Sequence, residues 1–199
     1  MPSETDLLNE SLSQIGAARI SAIDDGSINA NYCQMLYPAL LDSILRMHHW
    51  NFATGRVVLE ADATAPLFEF TYSYPLPQDF LKIREYNGAD TSVDTTWWWD
   101  GRRVQRYVIE GRALLSNEAE VKIVYTKRIT DPNIWDALFY QVVVTWLAGK
   151  LANAIPKDTK KSASLIQEAV SLLLPMAVGV DGQEGTVIPF QVDDLTWGR

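Results

Sequence analysis

Apolar residues recur at helical spacing in two stretches that lie far apart along the chain. Cys33, Leu36, Tyr37, Leu40, Leu41, Ile44, Leu45 and His48 follow i, i+3, i+4, i+7 and onward. That pattern predicts one long amphipathic helix over 28–48, capped by Ser27 or Asn29. Pro38 falls inside it and removes one backbone donor, which predicts a kink over 34–37 rather than two helices. The second stretch sets Trp135, Leu138, Phe139, Val142, Val143, Trp146, Leu147 and Leu151 on one face. Asp136, Gln141, Thr145 and Lys150 fall opposite. Asp131-Pro132 suits its start and Pro156 its end. A short helix is predicted over 5–15 from Leu7, Leu8, Leu12 and Ile15, with Gly16 as its stop. A fourth is predicted over 158–174, with Asp158 as cap and Pro175 stopping or bending it. There Leu165, Ile166, Ala169, Val170 and Leu173 point inward, and Lys160, Lys161 and Glu168 outward.

Between the helical stretches the period changes to two. Strands are predicted over 56–60, over 67–74 (Phe68, Phe70, Tyr72 and Tyr74 on one face), over 80–86, over 103–109 and over 120–125. Trp97-Trp98-Trp99 precedes an Asp100-Gly101 turn, and Asn87-Gly88 and Gly111 punctuate the remainder. Five or six short strands with hairpin-length loops imply an antiparallel sheet or small barrel. The fold class expected is α+β: helices from 1–53 and 129–177 form one discontinuous bundle, because each amphipathic stripe needs a partner. An antiparallel β domain, 54–128, is inserted. Residues 178–199, glycine-rich but carrying Val187, Ile188, Phe190, Leu195 and Trp197, read as an extended C-terminal arm.

Composition narrows the function classes. The chain has 199 residues, 47% hydrophobic and 21% charged, enough for a real core and too few charges for a disordered polyelectrolyte. The net charge of −8 argues against tight binding to nucleic acid phosphate, which needs Lys and Arg to displace counterions. The charge is uneven: residues 100–128 carry 4 acids and 7 bases, while both flanks are acidic. Those bases are either a solvated sheet face or a docking surface for an acidic partner. One cysteine excludes an intrachain disulfide and a zinc–thiolate cluster. MPSETDLLNE has neither the basic nor the apolar region of a signal peptide, and no apolar run approaches the ~20 residues of a membrane span. The expectation is a soluble protein with no membrane partner.

No catalytic constellation emerges, and neither cofactor nor metal is expected. His48 and His49 are adjacent, so on a helix they point about 100° apart and cannot grip one ion. Cys33 lies on an apolar stripe and reads as an inert buried thiol. Phosphate-binding loops, dinucleotide fingerprints and nucleophile elbows are absent. The pairs Asp24-Asp25 and Asp193-Asp194 lie in loops and could serve a glycosidase only if folding brought them together. The seven tryptophans are the unusual feature. Trp50, Trp135 and Trp146 suit a core. Trp97, Trp98 and Trp99 cannot all point inward on one strand, so one or more suits an interface or an aromatic platform.

Further patterns carry a resemblance. They are Tyr37-Pro38-x-x-x-Asp42-x-x-Leu45-Arg46, His49-Trp50-Asn51-Phe52-Ala53, and Tyr74-Pro75-Leu76-Pro77-x-Asp79-Phe80-Leu81-Lys82-Ile83. Trp135-Asp136-x-Leu138-Phe139 and a terminal Trp197-Gly198-Arg199 complete the set. Over about 5–175 the chain resembles the tail tubular protein A family of short-tailed phages, the head-to-tail portal adaptors or gatekeepers. The resemblance implies a non-enzymatic virion protein at the head–tail junction, assembled in the host cytoplasm. It implies a twelve-subunit ring under the portal protein, carrying a tail nozzle of tail tubular protein B type below. Double-stranded DNA would pass through the opening during ejection without specific binding, and some relatives help attach tail fibres. An acidic lumen would repel phosphate. The candidate partner-binding residues are Trp97, Trp98, Trp99, Arg102, Arg103, Phe190, Trp197 and Arg199, with 178–199 ordering on portal. The alternatives are a virion-associated cell-wall or polysaccharide hydrolase and a free-standing binding module.

Overall fold

Ser3 opens the first helix with a capping box: its hydroxyl accepts the Asp6 N–H at 3.1 Å while the Asp6 carboxylate accepts the Ser3 N–H at 2.9 Å. The computed structural model describes residues 2–91, 97–99, 102–104 and 106–184. Helix α1 (Glu4–Gln14) ends before Gly16, whose φ of 72° is the left-handed stop a glycine supplies. Helix α2 (Ile28–Met47) is capped by Ser27 and runs through Pro38 without breaking. Pro38 is exposed, so the ring lies on the solvent side of a helix held by its opposite face.

Helix α3 (Ala137–Ala154) begins later than its sequence suggests. Asp131 caps only a 3-10 turn, Pro132–Ile134, and the long helix takes Asp136 as its N-cap, with Oδ1 accepting the Leu138 N–H at 2.7 Å. Asp136 therefore does not lie on the outer helix face, and Trp135 precedes the helix. α4 spans Thr159–Gln183 as one continuous helix. Its middle, Ala169–Leu173, widens to a π-helical turn, and Pro175 falls at the start of the α-helical turn after it. That change of hydrogen-bond step lets the chain absorb the missing proline donor and continue. Residues 178–183, expected to be extended, are helical. Val170, expected inward, is exposed and lies within the π turn itself. The continuous helix is also long and apolar enough to cross a membrane by length and composition alone, contrary to the expectation from the interrupted sequence pattern.

The β region contains nine strands among the described residues, where five or six were expected. β1 (Thr54–Leu59), β3 (Phe80–Tyr86), β4 (Ala89–Asp90) and β9 (Val121–Lys127) form one antiparallel sheet in the order β1-β9-β3-β4. β2 (Tyr72–Pro75), β7 (Tyr107–Glu110) and β8 (Ala113–Ser116) form another, in the order β2-β8-β7. β5 (Trp97–Trp99) and β6 (Arg102–Val104) make a separate hairpin. Asn87 and Gly88 have φ of 46° and 80°, which suits the tight β3–β4 turn. Two strand expectations fail. The run 67–74 is strand only from Tyr72, because Glu69 sits at φ 68° and the Phe70 N–H turns back to the Phe68 carbonyl at 2.8 Å. The run 103–109 splits between β6 and β7, which belong to different sheets.

Two apolar clusters organise the molecule. Leu7, Leu12, Leu41, Ile44, Phe139 and Val143 belong to a core shared by α1, α2 and α3, which Ala177 of α4 joins. The Ser11 hydroxyl of α1 donates across it to the Val144 carbonyl of α3 at 3.1 Å. The second cluster lies between the two larger sheets and includes Leu59, Tyr74, Tyr86, Leu114 and Ile123. Tyr86 and Ser116 join the sheets through a 2.7 Å hydroxyl–hydroxyl bond.

β1 and β9 are paired neighbours, Thr54 opposite Thr126. Trp50 donates its indole N–H to the Ile44 carbonyl at 3.2 Å, and Trp135 donates likewise to the Ile129 carbonyl at 3.2 Å. Both indoles pack edge-on against Phe139, at 4.8 and 5.1 Å between centroids.

Candidate functional site

The residues with the most obvious chemistry are packed for structure. Cys33 is fully buried on α2, and burial pushes its thiol up to about 11, which keeps it protonated and unreactive. His48 and His49 diverge. His48 Nε2 meets the Asp181 carboxylate at 3.0 Å, whereas His49 Nδ1 lies 3.4 Å from the Thr126 hydroxyl. Burial first, then the charges of Lys82 and Arg84, hold His49 below the usual histidine range. Asp25 accepts the backbone N–H groups of Ser21 and Ser27, each at 2.9 Å, and hydrogen bonding by the Ser27 hydroxyl first, then by these N–H groups, holds its carboxyl well below the usual range. It closes a turn beside Asp24. Among the described residues no three His, Cys, Asp or Glu side chains are grouped to hold a metal ion.

The surface is where unusual features lie. Trp97, Trp98 and Trp99 form β5 and pair in register with Val104, Arg103 and Arg102 of β6. The structure therefore brings the tryptophan run and the two arginines into one hairpin. Phe190, Trp197, Arg199 and the Asp193-Asp194 pair lie outside the described residues.

Sequence reasoning missed two apolar surfaces. α4 packs on α3 where Gly149 admits Ile166, and Ala169, Ala177 and Asp181 fall on the same packed face. Only 11% of its most apolar stretch is buried, and Val170, Leu172, Met176 and Val180 are exposed. The signal was present in the hydropathy of 159–183 and was hidden by Pro175. The second surface is the loop between β1 and β2, which carries Leu67 at 97% and Phe68 at 73% exposure. Its alternating sequence imitated a strand.

Asp181 fixes the end of α4. It is 4% exposed, accepts the Asn51 N–H at 2.9 Å, and its own carbonyl accepts the Asn51 side-chain amide at 2.6 Å. The apolar helix is thereby pinned to the Trp50-Asn51 corner, at the crossing between helices and strands. Compared with family models and with curated proteins, the chain matches none.

Proposed function

We propose that this chain is a structural virion protein, a head-to-tail adaptor whose copies form a ring between portal and tail nozzle and conduct DNA. The observation that carries the reading is α4, a pinned helix whose apolar residues Val170, Leu172, Met176 and Val180 remain uncovered in the single subunit. A monomer gains nothing by exposing such a face, whereas an assembling subunit can bury it against a neighbour. The sequence patterns shared with the adaptor family point to portal and to further copies as those neighbours. In this reading residues 1–53 and 129–177 act as one discontinuous helical bundle that holds out the 54–128 β domain. The single crossing point around Phe139, with β1 and β9 side by side, supports it. The Trp97–Trp99 hairpin with Arg102 and Arg103, and the C-terminal Phe190, Trp197 and Arg199, are the proposed contacts to portal, nozzle or fibre proteins.

The test is assembly with purified portal rings, read by sedimentation and native mass. Twelve copies loading per portal ring is the expected result. A chain that stays monomeric and ignores portal rings overturns the reading.

A further inference from the structure

We infer that neighbouring copies join head to tail through a knob and a socket on the β region; this deepens the ring reading above and rests on it. The knob is the 62–70 loop. Its base is pinned by the Asp62 N–H on the Ser73 carbonyl at 2.7 Å, and by the Thr71 N–H and hydroxyl on Asn117 Oδ1, both at 2.9 Å. The turn at Glu69 then holds Leu67 and Phe68 out in solvent. A pinned apolar tip loses little further freedom when it is bound. Asp62, Glu69 and Glu110 share a hollow with Leu67 and Phe68, and all three are exposed.

The socket is a cleft of about 460 Å³ between the end of α2, β3 and the β7–β8 turn. Its apolar lining includes Leu76, Leu81 and Ile109, and its charged lining among the described residues is Arg46, Lys82 and Arg112, with no carboxylate among them. Arg46 is fixed on the Leu81 carbonyl and Arg112 on the Pro77 carbonyl, so both cations are held in place. An apolar tip ringed by acids thus has a matching apolar cleft ringed by bases on the same chain.

The two halves cannot meet within one subunit. Ile109 lines the socket, while its neighbour Glu110 lines the hollow beside the knob, and adjacent strand residues point to opposite faces. Knob and socket therefore lie on opposite sides of the β2-β8-β7 sheet. A contact between two different surfaces leaves a free knob and a free socket at the ends of every open oligomer, so it propagates, and closes into the proposed ring when the rotation between neighbouring copies divides a full turn.

Cysteine cross-linking of the full chain tests this, because native Cys33 is fully buried and does not compete. Under oxidant, a Phe68→Cys/Ile109→Cys double variant is expected to give a ladder of oligomers. An equimolar mixture of the two single variants is expected to stop at a dimer, and each single variant alone to stay monomeric. Glu69→Lys should lower the yield roughly tenfold, and Lys82→Glu on the socket partner should restore it. Absence of cross-links, or Phe68→Cys linking to itself as well as to Ile109→Cys, overturns the contact. Portal loading is scored separately. A failed ladder with intact loading rejects the knob and socket and leaves the adaptor reading standing. A ladder without loading supports the contact and rejects the adaptor reading.

Discussion

Asp181 shows how much one side chain can decide in a stretch that reads as a loose tail. Its carboxylate is buried, hydrogen-bonded to the Asn51 N–H and paired with His48. Asp181→Ala leaves the Asn51 donor and the His48 ring without that partner, and is expected to cost about 2–3 kcal/mol in denaturant unfolding. Nothing in the surrounding glycines announced this, because the partners lie 130 residues away at Asn51. It also constrains any truncation: removing 178–199 destroys the anchor, so a test of the terminal segment has to begin after Glu184. His49 gives a pH effect of definite sign. Its folded pKa is lowered, chiefly by burial, so the unfolded chain binds the proton first as pH falls. Its contribution to stability is full above about pH 6.5 and declines as pH drops from there toward the folded value. Melting temperature measured from about pH 7.5 to 5.5 should fall, and His49→Gln should flatten that slope.

At the scale of elements, helices were more legible than strands. α1 and α2 follow their apolar periodicity almost to the residue, because Ser3 and Ser27 cap them and one wide stripe of each is buried. Leu67 to Phe70 obeyed the strand period equally well and is not strand, since a period of two reports which faces a backbone would present and not whether a partner strand exists. Short strands such as β8 were missed for the same reason: their four residues are defined by pairing with β2 and β7. The α3–α4 crossing depends on a residue with no periodic signal at all. A Cβ on Gly149 would lie 2.7 Å from Ile166 Cγ1 and 3.1 Å from its backbone nitrogen. Gly149→Ala should therefore push the helices apart despite its better helix propensity, costing about 1–3 kcal/mol. Thermal unfolding of this variant, compared with an exposed substitution such as Gly182→Ala, measures the difference. A stabilised Gly149→Ala would mean that the crossing is looser than its geometry.

For the whole molecule, the charge pattern seen in the sequence changes meaning once the chain is folded. Residues 100–128 form a basic segment on an acidic protein, and by count alone they offer a track for DNA phosphate. Folding places carboxylates beside several of those cations. Arg106 lies 3.6 Å from Glu118, Lys122 lies 2.7 Å from Glu120, and Arg128 is paired in two-pronged fashion with Asp42 of α2. Each pair is partly exposed and adds under ~1 kcal/mol to stability, so its larger effect is to cancel local positive potential. Arg112 is turned onto a backbone carbonyl. Sequence could not show this, because the Arg128 partner comes from a helix far upstream. In the proposed ring, a conduit for DNA needs such cancellation: each uncompensated lysine or arginine would be repeated in every subunit and would slow the strand by counterion release. The purified chain is therefore expected to leave double-stranded DNA unretarded in gels at about 0.15 M salt, and to show no salt-dependent binding above that. Asp42→Asn with Glu118→Gln and Glu120→Gln should create weak, salt-sensitive retardation. Tight DNA binding by the unaltered chain would contradict passage without holding.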